Sequence, residues 1–203
     1  MRDILISIKP QWNEKILNGE KIIEIRKTKP ECKLPCKVHI YCTKDTKRIL
    51  AGTPLVEKSW KCWNRNEWNT KEKKAYGYGA YNGKVIGEFV CDKITKYTLK
   101  DLFYGMDEIS NSDVENNSCV DIDSLLAYKG EKKHIYGWHI SNLKIYDKPK
   151  ELSDFYKPCP MEDKYNCLRC EYYSDYSGVC MNYVTRAPQS WCYVEKERES
   201  NDE

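Results

Sequence analysis

Apolar positions change period twice near the start of the chain. Residues 4–9 (Ile-Leu-Ile-Ser-Ile-Lys) form a β-branched run that ends at Pro10, a residue suited to the first turn of a helix. Trp12, Ile16 and Leu17 then recur at helical spacing, and Asn18-Gly19 stops the helix with residues that tolerate a left-handed backbone. After Gly19 the period becomes two. A strand over 20–26 is expected, with Ile23 and Ile25 on one face, Lys21 on their side, and Glu24 and Arg26 sharing the other.

Farther along, prolines and lysines mark 27–37 as a loop, and 38–43 (Val-His-Ile-Tyr-Cys-Thr) alternates as a strand. The pattern breaks down over 45–83. Residues 84–95 read as one long strand with a bulge or bend near Gly87. A short helical turn is expected at 98–103, a solvated acidic loop at 107–123, and one or two helical turns at 123–130 ending on glycine. The last clear strand is 136–146, and Pro149 ends it. Past Ser153 the chain becomes cysteine-rich, and 196–203 is a charged tail expected to be disordered.

The opening strand, helix and strand end in Gly19-x-Lys21-x-x-Glu24-x-Arg26, and this resembles the signature of the ASCH family. A second stretch, Tyr136-Gly-Trp-His-Ile-Ser-Asn-Leu-Lys-Ile-Tyr146, is similar to the family's closing strand. The resemblance implies an α+β fold for 1–150: a PUA-like mixed β-barrel with short flanking helices. It also implies a cleft lined by Lys21, Glu24 and Arg26 and a function in binding RNA or a nucleobase. Taken alone, those three residues read as a structural salt bridge. In the family setting they form a pocket for a base edge or a phosphate, with Arg26 supplying a planar fork and Lys9 nearby.

One branch of the family hydrolyses N4-acetylcytidine, using the motif lysine and a threonine. This chain has Glu24 at the threonine position, which counts against the same mechanism. In a hydrolase of an acylated nucleoside or of RNA, Lys21 would activate water or stabilise an oxyanion, with Glu24 or Glu88 carrying the proton.

Composition narrows the choices. A formal net charge of +3 over 203 residues gives no global hold on nucleic acid, so any basic footprint must be local. One exists: Trp60, Trp63 and Trp68 lie among Lys58, Lys61, Arg65, Lys71, Lys73 and Lys74, opposed by Glu67 and Glu72. Lysines that track phosphates beside indole rings suit a single-strand binder, so Lys61 and Trp63 are expected to extend the binding surface while at least one indole serves as core. His39 and His139 read as structural strand residues and His134 as exposed. No apolar run approaches the roughly 20 residues that span a bilayer, and with a strand starting at once a cytoplasmic location is expected.

Among the 11 cysteines one compact group stands out, Cys159-x7-Cys167-x2-Cys170-x9-Cys180, with Cys192 as an alternative fourth member. Cys-x-x-Cys turns bring two thiolates to one tetrahedral metal, and the surrounding segment has too little aliphatic content to fold on its own. Residues 151–195 are therefore expected to form a structural zinc module docked on the barrel. Reduced cysteines packed on the barrel and an iron–sulfur cluster are the competing readings. Such a module also allows a third function, as a protein-interaction adaptor. The strand expected near 192 would hold Cys192 in the main domain.

Overall fold

The opening run forms β1 (Asp3–Ile8), whose side chains from Ile4 to Ile8 are all buried. It lies between a parallel neighbour, β3 (Cys36–Cys42), and an antiparallel one, β13 (Trp191–Val194), and its two faces enter two cores, Ile4, Ile6 and Ile8 in one and Leu5 in the other. The computed structural model describes residues 2–53, 59–68, 79–98, 111–159, 171–174 and 179–195. With β7 (Val85–Cys91) and β10 (Ser141–Lys150) the main sheet runs β10-β7-β3-β1-β13.

Helix α1 (Pro10–Leu17) starts on proline as expected, and its buried Ile16 and Leu17 cover the main sheet together with Trp60 and Trp138. Buried Asn13 donates its side-chain N–H to Ile8 O at 3.0 Å, which fixes the turn from β1 into the helix. The chain leaves α1 through Gly19, at φ +77°, a conformation that costs glycine nothing. The N–H groups of Glu20 and Lys21 then both donate to Lys15 O. That turn delays the strand, so β2 spans only Ile23–Arg26. The expected side for Lys21 is corrected here. Its residue lies before the strand, outside the period of two, and its side chain reaches Glu24 rather than joining Ile23 and Ile25.

The second sheet is β2-β9-β8, with β8 at Ile94–Thr98 and β9 at His134–His139. The single long strand expected over 84–95 is two strands in two sheets, divided at Asp92 and Lys93. Its bulge stands where expected, since the β3–β7 register slips between Ile40↔Gly87 and Tyr41↔Val85. A Cβ on Gly87 would lie 2.5 Å from Lys144 O, so only glycine lets β10 approach. The strand expected at 136–146 likewise divides at Ile140, whose N–H bonds Ile22 O at 2.9 Å.

A third sheet, β5-β4-β6, contains β4 (Arg48–Thr53), β5 (Ser59–Asn64) and β6 (Gly79–Ala80) and packs on α1. Among the described residues these ladders do not join into a closed barrel. The fold is mixed α+β and mostly sheet. No helix among the described residues is long and apolar enough to cross a membrane.

One departure comes from packing. Within the expected acidic loop, Asn111–Ser118 forms helix α3 (α2 being the short Arg65–Trp68), because Val114 packs with Ile23, Ile25 and Leu125. Helix α4 (Ile122–Lys129) follows, capped by the Asp121 side chain and ended by Gly130 as expected. The C-terminal end returns to the main domain, as expected near Cys192. Phe155, Val184 and Val194 pack with Leu5, Tyr41 and Val85, and β13 is a strand of the main sheet. The expected helical turn beyond Thr98 and the tail 196–203 lie outside the described residues.

His39 is a bonded core histidine, 3.1 Å from Asp3 and 2.9 Å from the Tyr146 hydroxyl. His139 bonds Thr95, and His134, expected exposed, is half-buried and bonds the Tyr136 hydroxyl.

Thiol burial makes stability depend on alkaline pH. Burial pushes the Cys42 thiol from 9.0 up to about 12, and Cys32 and Cys62 up to about 11. Above pH 9 the unfolded chain loses thiol protons that the folded chain keeps, so stability falls as pH climbs through that window. Thermal melts from about pH 8 to 11 should show a steady fall in Tm. Cys42→Ala should flatten that slope while lowering Tm at neutral pH. An unchanged slope in that variant would assign the effect elsewhere.

Candidate functional site

Three charges are buried side by side at the start of β2: Lys21, Glu24 and Arg26 are only 2%, 6% and 7% exposed. Glu24 Oε1 forms an ion pair with Arg26 Nη2 at 2.8 Å, and its Oε2 lies 3.5 Å from Lys21 Nζ. One carboxylate between two cations leaves one positive charge in excess. Backbone carbonyls stabilise it. Lys21 Nζ donates to Ser118 O at 2.6 Å, at the end of α3, and Arg26 Nη2 donates to Ser7 O at 2.7 Å on β1. Burial pushes the Lys21 ammonium below its ordinary 10.5, and the attraction of Glu24 opposes that without cancelling it. Lys21 Nζ also stands 5.5 Å from the centre of the Trp12 ring, within range of a cation–π contact.

These residues form the floor of a cleft of ≈ 850 Å³. One wall carries Trp12 and exposed Lys9 from α1 and its cap, and another carries Tyr128 from α4. The third is segment 185–190, with exposed Arg186. Ser7 holds that segment, its hydroxyl donating to Pro188 O at 2.6 Å and its N–H to Ser190 O at 2.9 Å. Among the described residues lining the cleft, five cations (Lys9, Lys21, Arg26, Lys44, Arg186) face one carboxylate, Glu24.

Of the residues expected at the site, Lys9, Lys21, Glu24 and Arg26 come together, and Lys61, Trp63 and Glu88 do not line this cleft. Trp63 packs against Ile49, Ala51 and Trp68, with Lys61 Nζ 4.2 Å from its ring centre. Trp60 is core, its ring so close to Gly52 that a Cβ there would lie 2.5 Å away. Glu88 lies across the main sheet, bonded to Tyr146 at 2.7 Å and 3.2 Å from Lys37. It cannot share a proton with Lys21.

Sequence reasoning missed Ser7, Lys44, Tyr128 and Arg186. Pro188 in an otherwise strand-like run was the signal that 185–190 leaves the ladder before β13 and is free to form a wall.

In the cysteine-rich part, the antiparallel bridge Tyr156↔Tyr183 is followed by a bond from Lys157 N–H to Asn182 O at 2.8 Å, with Cys159 and Cys180 each two residues along the chain from that bond. Cys180 opens no apolar core and pairs with Tyr173 in the hairpin of β11 (Tyr173–Ser174) and β12 (Val179–Cys180). Cys167 and Cys170 lie outside the described residues, and among those described no three ligating side chains cluster for a metal. Cys192, the alternative fourth member, sits on β13 opposite Leu5 and packs with the core there.

No family model and no curated protein matches this sequence. Solved structures do match the fold. The ASCH protein of Zymomonas mobilis superposes with a TM-score of 0.51 at 15% identity, covering 96% of this chain and 89% of that one. A tyrosine-to-phenylalanine variant of that protein gives 0.52 at 14%, covering 97% and 92%. A serine-to-alanine variant gives 0.51 at 14%, covering 96% and 89%. At this identity the likeness establishes the fold, which is that of ASCH proteins.

Removing the charge of Glu24 strands two buried cations. Glu24→Gln should lose about 3–5 kcal/mol in urea unfolding, the usual cost of breaking a buried pair from one side. A loss under about 1 kcal/mol would mean that the carbonyl partners alone carry both cations.

Proposed function

We propose that this chain, which carries the ASCH fold, binds RNA through a cleft that takes one nucleobase with its phosphate. The observation that carries this reading is the lining itself. Five cations oppose a single carboxylate that is already paired, and Trp12 and Tyr128 bring aromatic rings to the same cleft. Anionic phosphate satisfies the surplus charge, and a flat base stacks on aromatic rings at a typical gain of about 1–3 kcal/mol. Exposed Lys9 and Arg186 stand at the mouth, where they meet phosphate without supporting the core.

Tryptophan fluorescence titration with uridine 5′-monophosphate tests this. Binding should weaken with salt, and Lys9→Glu and Arg186→Glu should each weaken it several-fold with melting temperature unchanged. No salt-sensitive binding of any of the four mononucleotides would refute the reading.

A second reading, hydrolysis of an acylated nucleoside, is favoured by one feature: the lowered pKa of Lys21 at the cleft floor. It lacks Glu88 as a proton carrier, and Lys21 Nζ is already committed to Ser118 O. Turnover of N4-acetylcytidine that is lost in Lys21→Met would establish it.

For the cysteine-rich part we propose a structural zinc held by Cys159, Cys167, Cys170 and Cys180. Cys159 and Cys180 are free thiols, each two residues from the Lys157–Asn182 bond and outside the apolar clusters, which fits such a site. Bound zinc would supply folding energy to this segment. Elemental analysis should find about one zinc per chain, lost in Cys170→Ser. Purified protein with clearly less, and with melting unaffected by chelator, would exclude it. Metal loss that leaves nucleotide binding intact would separate this module from the cleft.

A further inference from the structure

A second groove, ≈ 600 Å³, lies beside the cleft, and the two share Lys44. The rim between them is the turn that follows β3. It begins at Thr43, a cleft residue whose N–H bonds Ile8 O at 2.9 Å, and continues through Lys44, Asp45 and Thr46 into the second groove.

The groove has an acid and two cations, and their partners differ. Asp45 Oδ1 accepts from the N–H groups of Lys47 and Arg48 at 2.7 and 2.9 Å, so its carboxylate caps the turn. Asn82 is likewise engaged with backbone, accepting from Leu50 N–H at 2.8 Å and donating to Arg48 O at 2.9 Å. Arg65 is exposed, yet held in place by Nε to Thr46 O at 3.1 Å and Nη2 to Asp45 O at 2.5 Å. A guanidinium has five donors, and two such bonds leave three directed outward from a fixed plane, the arrangement that suits a phosphate. Lys44 is exposed and sits between this fork and the cleft. Exposed Lys47 and Arg48 add charge on the same turn.

We propose that an RNA strand with one base in the cleft runs over Lys44 into this second groove, where Arg65 binds a following phosphate. The inference rests on the cleft reading and deepens it: the ligand is a strand rather than a free nucleotide. Continuity of the two grooves and the sign of their unpaired charges carry it, since a polyanion meets cations along the whole path.

The test compares uridine 5′-monophosphate with an oligouridylate of about eight nucleotides, a length within the usual site size of single-strand grooves. For the wild type the oligomer should bind more tightly and with a steeper salt dependence. Arg65→Gln should cost several-fold in oligomer affinity and reduce the salt slope by about 0.7, one phosphate contact on a single strand, with mononucleotide affinity unchanged. Arg65→Lys, which keeps the charge, should keep most of the oligomer affinity. Lys44→Ala, in an exposed turn, serves if Arg65 variants melt early, and should weaken oligomer binding more than mononucleotide binding. Equal losses for both ligands, or no loss in either variant, would overturn the track and leave the cleft reading standing. A wild type that binds neither ligand would overturn both.

Discussion

The contact of Glu24 with Lys21 and Arg26 holds together parts of the chain that share no backbone ladder. β2 belongs to one sheet and β1 to another, and Arg26 spans the gap by donating to Ser7 O. Lys21 does the same toward the end of α3 through Ser118 O. Each cation is desolvated, and each persists because Glu24 and a carbonyl share its charge. Among the described residues, side chains rather than a strand ladder join β2 to β1 at this corner. The residues involved are too buried to shift without moving a sheet.

That arrangement also shapes the cleft. A floor of fixed cations is preorganised, so a bound anion gains attraction with little rearrangement of the protein. The mouth is different in kind, with Lys9, Lys44 and Arg186 exposed. In the proposed reading, floor residues serve both stability and recognition, and substitutions there mix the two effects. Mouth residues separate them. The wall at 185–190 ties this division to the C-terminal part of the chain, since Ser7 and Arg26 both contact it.

Much was legible locally. Pro10 and Gly19 bound α1 because fixed and left-handed φ values act within a residue or two of the chain. Asp121 and Gly130 bound α4 for the same reason. The grouping of Lys21, Glu24 and Arg26 was legible from the motif. The side on which Lys21 lies was not, because two N–H groups turn back to Lys15 O and interrupt the alternation. Helix α3 was hidden by its acidic composition, and a single buried valine, Val114, anchors it on β2.

By itself, then, the sequence determined the elements whose causes are short-range: periodicity, caps, the bulge at Gly87 and the charge pattern of β2. Tertiary structure alone decided which charges meet. Trp60 and Trp63 stand three residues apart with the same chemistry, yet one is in the main core and the other covers a small cluster near Lys61. Glu88 and Glu24 are both strand glutamates, and only Glu24 faces the cleft. Arg186 and Ser190 reach a site built by residues 7–26 only because β13 pairs with β1. Contacts between distant segments depend on how sheets pack and where the chain returns, and no local pattern along one strand records the partner it will meet.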